Sequence, residues 1–127
     1  MKFIVETQKS VEQAETDLLA AVKRHHFGVL YVHNLRETLK GKGVDFGEEC
    51  RIFEICNPQK AAEVMAGDMS LNMALPCRIS VYTERGATKI GMLRPTALLA
   101  AFSDSESLKQ IAREVETITV RMIEEAK

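Results

Sequence analysis

The chain has 127 residues, enough for one domain to bury a hydrophobic core without disulfides or metal. Its 46% hydrophobic and 28% charged content excludes a disordered or fibrous chain. The 17 Lys and Arg are matched by 18 Asp and Glu, with the signs interspersed, so the clustered cations that grip a nucleic-acid backbone are missing and no nucleic-acid partner is expected.

Residues 2–7 open with apolar, β-favouring side chains and read as a strand. The apolar run Phe3-Ile4-Val5 stops after three residues, far short of a signal core or a membrane span. A cytoplasmic protein with no membrane partner is therefore expected. A helix follows, with Ser10 as cap and Gln13 three residues later in the capping-box arrangement. Val11, Ala14, Leu18, Ala21 and Val22 recur at helical spacing and give it one packing face. Lys23, Arg24, His25 and His26 crowd its last turn, where positive charge suits the helix dipole, and Gly28 marks the exit.

Residues 27–35 read as a second strand and 35–40 as a short helical turn, before Gly41, Gly43 and Gly47 punctuate a charged loop. The third strand is 51–56. Asn57-Pro58 then starts a helix, Asn as cap and Pro at the first position, which Gly67 can close. Strands 77–83 and 88–93 form a hairpin around Arg85-Gly86. A short apolar helix over 95–102 and a long one over 105–126 complete the chain. The long helix carries Leu108, Ile111, Val115, Ile118 and Met122 in alternating steps of three and four, which suits packing on a sheet or a helix-helix contact with a partner.

The order is strand, helix, two strands, helix, two strands, helix. Such a pattern is best buried as a single α+β domain, a mostly antiparallel sheet with helices on one face.

Among the candidates for chemistry, Cys56 ends a strand immediately before a helix start, where the dipole favours a thiolate. The commoner state of a free cysteine is a small buried hydrophobe, here at a tight corner. Cys77 opens the next strand and approaches Cys56 if the two strands pair, although the spacing of 21 positions is not that of a redox motif. Glu54 shares a strand face with Ile52 and Cys56, either as a carboxylate beside the thiol or as an edge residue facing water. His33 falls late in the second strand on the face of Val29 and Tyr31, as a hydrogen-bonded histidine or an acid-base group. Cys50, Cys56, Cys77 and His33 are adequate zinc ligands but lack paired short spacing, so no metal site is expected and the cysteines are expected to be free. No phosphate loop, dinucleotide fingerprint or nucleophile elbow is present.

At Cys56-Asn57-Pro58 and Leu75-Pro76-Cys77 the chain resembles the "domain of unknown function 302" family. The likeness extends to Phe27-Gly28-Val29, Leu39-Lys40 and Gly43-Val44-Asp45-Phe46. The resemblance implies a TATA-binding-protein-like architecture, a curved antiparallel sheet backed by helices, and members that pair as homodimers. It implies no activity, and any cofactor is unknown. It points to Cys56 and Cys77, with Asn57, Pro58 and Pro76, as positions of interest, while Cys50 lies outside its pattern.

Three readings follow. The first is a binding module that takes a small-molecule ligand near Cys56, Asn57 and Cys77, with Glu54 and His33 close by. The second is a thiol-dependent enzyme or redox sensor in which Cys56 attacks and Cys77 resolves. The third is an interaction subunit for another protein.

Overall fold

The computed structural model describes residues 1–127. Five strands, β1 (Lys2–Thr7), β2 (Gly28–Asn34), β3 (Cys50–Cys56), β4 (Cys77–Glu84) and β5 (Ala87–Leu93), form one antiparallel sheet in the order β1-β5-β4-β3-β2. The helices are α1 (Val11–Arg24), α2 (Leu35–Gly41), α3 (Pro58–Gly67), α4 (Pro95–Ala100) and α5 (Glu106–Ala126), with a 3-10 helix over Met69–Ala74. The expected α+β domain is observed, with α2 where a helical turn was expected over 35–40 and the 3-10 helix as an addition.

Alternation along the strands decides which side is covered. Phe53, Ile55, Ile79, Val81, Ile90 and Met92 point to one face and are buried beneath α1 and α5. The opposite row, including Lys2, Ile4, Arg78, Leu93 and Tyr31, is exposed to solvent. A sheet packed on one side only needs this alternation, because a one-residue slip would turn the apolar row outward.

Local signals explain most element boundaries. Ser10 caps α1 by accepting from the Gln13 N–H at 3.1 Å. The reciprocal half of the capping box is not formed: the Gln13 side chain donates instead to Asp17, a charged acceptor one turn along that Lys9 holds in place. Asn57 caps α3 by accepting from both the Gln59 and Lys60 N–H groups, and Pro58 fills the first position, where no donor is needed. The β4–β5 loop has only two residues, since Glu84 pairs with Ala87. Arg85 (φ 52°) and Gly86 (φ 82°) both adopt the left-handed conformation that matches hairpin twist. The chain leaves α1 through His26, also left-handed at φ 62°, two residues before the glycine that marks the exit in the sequence.

The seam of α5 packs inside the chain. Leu108, Val115 and Met122 are buried, together with Ala112, Thr119, Ile123 and Ala126. Thr119 satisfies its hydroxyl on the Val115 carbonyl at 3.0 Å. The N-terminal half of the helix meets α3, α4 and the 3-10 helix, and the C-terminal half meets α1 and the sheet. Two separate apolar clusters result, one of 16 buried residues over the sheet and one of five at the sheet's end.

Candidate functional site

The C-terminal ends of β3 and β5 and the N-terminal ends of β1, β2 and β4 lie at the same end of the sheet, as the antiparallel registers require. Here the two apolar clusters do not close on each other. A cavity of about 850 Å³ runs from the open sheet face, around the strand ends, to α3, α4 and α5. Ile55, Ile79 and Met92 line it from the larger cluster, and Val64, Leu99 and Ala112 from the smaller. Its rim includes Ile4, Leu30, Met73, Leu93 and Phe102, with exposures of 46%, 60%, 80%, 49% and 61%. Large apolar side chains left in water around one cavity mark an interaction surface better than the same residues scattered singly.

Cys56, Asn57 and Cys77 all line this cavity. The thiols come from neighbouring strands: Cys77 pairs with Ile55, so Cys56 is one residue beyond that pair. Alternation sends Cys77 toward the helix-covered row of Ile79, and Cys56 toward the open row of Ile52 and Glu54. Asn57 is occupied as the cap of α3, and the Leu75–Pro76 peptide bond before Cys77 is cis.

His33 and Glu54 meet on the open sheet face. The His33 Nε2 and Glu54 Oε1 are hydrogen-bonded, and the Tyr31 ring lies 4.6 Å from the His33 ring. This pair is beside the cavity and not in its lining. Glu54 is therefore neither a free carboxylate at a thiol nor an edge residue turned to water. One expected neighbour is displaced: a bulge at Leu30 shifts the register, so Val29 pairs with Ile55 in the covered row while Tyr31 and His33 stay in the open row. The shared face expected for Val29 and His33 assumed unbroken alternation. Cys50 opens β3 and Cys56 closes it, about 20 Å apart along an extended strand. No three His, Cys, Asp or Glu side chains converge as ligands.

A family model described as the domain of unknown function DUF302 matches residues 3–126. The chain belongs to the DUF302 family. It is also similar to a solved structure, the uncharacterized conserved protein DUF302 from Bacillus stearothermophilus, at 33% sequence identity and a TM-score of 0.93. That match covers 99% of this chain and 98% of the other. No curated protein matches the chain. Neither the family description nor the name of the solved relative states an activity.

In this DUF302 chain the chemistry of the lining is set by burial. Desolvation, with the neighbouring Cys56 as a second cause, pushes the Cys77 thiol up to about 11, so at neutral pH it is protonated and acts as apolar wall. Burial also raises Cys50. Lys60, in the first turn of α3, lines the cavity but is ion-paired with Glu114 of α5, and that partnership raises Lys60 and lowers Glu114. Lys2, Arg78, Leu30, Met73 and Phe102 carry no motif in the sequence. Strand register and the folding of short helices over the sheet end bring them to one place.

Proposed function

We propose that this DUF302 protein is a small-molecule-binding module, with its site in the cavity beside Cys56, Asn57 and Cys77 and with the His33–Glu54 pair flanking the mouth. The observation that carries this reading is the gap between the two apolar clusters. At about 850 Å³ it falls within the range of small-ligand pockets, and 22 of its 32 lining residues are hydrophobic. A thiol enzyme is less well supported, because a resolving Cys77 would have to ionise against a pKa pushed to about 11.

Titration with the neutral fluorophore N-phenylnaphthylamine tests the reading. Saturable, blue-shifted binding at one site per chain is expected, lost in Ala61→Phe, which places a ring from α3 into the lining. Unsaturable binding, or full binding in Ala61→Phe, would remove the basis for the reading.

Pairing as a homodimer, a cytoplasmic location and the TATA-binding-protein-like architecture belong to the same proposal. The absence of any helix long and apolar enough to cross a membrane fits it, as does a five-stranded antiparallel sheet covered on one face. Sedimentation equilibrium checks the pairing, with a mass near twice 14.2 kDa as the expected result.

A further inference from the structure

The charge of the lining narrows the ligand class. The chain carries 18 acidic residues and a net charge of -1, yet no Asp or Glu lines the cavity. Its charged lining residues are Lys2, Lys60 and Arg78, all cations. Their positions are fixed by register and differ in availability. Lys60 is committed to Glu114. Lys2 pairs across the sheet with Leu93, and Arg78 sits one strand further, two residues before the Ser80 that pairs with Gly91. The two free cations thus flank the exposed Leu93 on the open face, with Cα atoms about 10 Å apart at two strand spacings. Both are exposed, and neither forms an ion pair within the chain. Glu54 stands opposite Arg78 and gives an oxygen to His33, while Glu84, which is bonded to Lys89, feels Lys2 only as the weakest of its charge interactions.

Long basic side chains lay their methylene stems along apolar surface and keep the charge at the water boundary. An apolar cavity whose mouth carries two unpaired cations complements a ligand with an apolar body and an anionic head. Burying the body releases water from the lining, while the head stays at the mouth, where charge-assisted hydrogen bonds from lysine and arginine replace lost hydration. The start of α3 adds little as a direct donor: Pro58 has no N–H, Asn57 takes those of Gln59 and Lys60, and the Ala61 N–H is bonded to the Asn57 carbonyl.

We propose that the cavity binds a free carboxylate amphiphile of the fatty-acid class, its chain between the two apolar clusters and its carboxylate held by Arg78 and Lys2. This rests on the ligand-binding reading given above and adds the class of ligand.

Displacement of N-phenylnaphthylamine by dodecanoate, methyl dodecanoate and dodecylamine separates the two levels. Dodecanoate is expected to bind on the order of tenfold more tightly than the ester, the scale of a charge-assisted contact, and the amine more weakly than either. In Lys2→Gln/Arg78→Gln the dodecanoate affinity should fall to that of the ester, while ester affinity holds and reports an intact cavity. Equal affinities for acid and ester in the unaltered chain, or a preference for the amine, would overturn the carboxylate assignment and leave the binding module standing. Failure of the neutral fluorophore to bind would take both down. Recruitment to vesicles containing anionic lipid, with no displacement by monomeric dodecanoate, would overturn the free amphiphile in favour of a membrane surface.

Discussion

The two ends of the molecule are built differently. Over the sheet, 16 buried residues interlock β-strands, α1 and the C-terminal half of α5, and Phe53, Leu18, Ile55 and Val81 retain no accessible surface. Beyond the strand ends, five residues, Val64, Leu71, Leu99, Leu108 and Ala112, hold together α3, the 3-10 helix and α4. These elements have only 10, six and six residues, too short to be stable without packing. The first region can specify the fold because its contacts are numerous and long-range. The second is a small cap on the N-terminal half of α5, and the cavity lies where that cap meets the larger core. Binding surfaces belong to regions that open at low cost, and this architecture puts such a region beside a rigid sheet.

The largest expected effect comes from the rigid side. Phe53→Ala should cost about 3 to 5 kcal/mol, seen as a lower denaturation midpoint with both regions unfolding together. A loss below about 1 kcal/mol would mean that the larger cluster does not carry the fold. Leu71→Ala in the cap should cost less, about 2 kcal/mol. Hydrogen exchange should then quicken in α3 and α4 while β3 and β4 keep their protection. Uniform loss of protection would show that the two regions are one cooperative unit.

The third effect is a dependence on pH. Because the Cys77 thiol is pushed from 9.0 to about 11 in the fold, native and unfolded chains are both protonated below about 9, and the neutral thiol costs nothing there. Between about 9 and about 11 the unfolded chain ionises first, so stability should fall with a slope of about 1 kcal/mol per pH unit from this group. Cys77→Ala should remove that part of the slope, and alkylation of native Cys77 at pH 8 should lag far behind the unfolded chain. Equal alkylation rates would contradict the burial of the thiol. The smallest effect belongs to the partly buried His33–Glu54 pair outside the cavity. Glu54→Gln should change stability by less than about 1 kcal/mol and leave binding of the neutral fluorophore unchanged.

Much of this was readable in sequence, for local reasons. Ser10 and Asn57 announce helix starts through side chains that act on the next turn, and Arg85-Gly86 announces a hairpin through left-handed backbone. The spacing of Leu108, Val115 and Met122 gives the buried stripe of α5. The short motifs around Cys56-Asn57-Pro58 and Leu75-Pro76-Cys77 led to the DUF302 family, and the family match spans residues 3–126. What escaped was non-local or depended on one irregular residue. The bulge at Leu30 breaks an alternation that otherwise puts Val29 beside His33. The cavity could not be read because Lys2, Ile55, Arg78, Leu93 and Phe102 are distant in sequence and meet only through register. The approach of the two cysteines could be read only on the condition that their strands pair, and their division between the open and covered rows of the sheet could not be read at all.

Native mass spectrometry of the protein purified without added metal, compared with its denatured mass, tests the cavity most directly. A non-covalent mass increment of small-molecule size is expected, present in the unaltered chain and absent from Ala61→Phe. A bare chain that also stays bare with a tenfold excess of dodecanoate would contradict the assignment of this cavity as a ligand site.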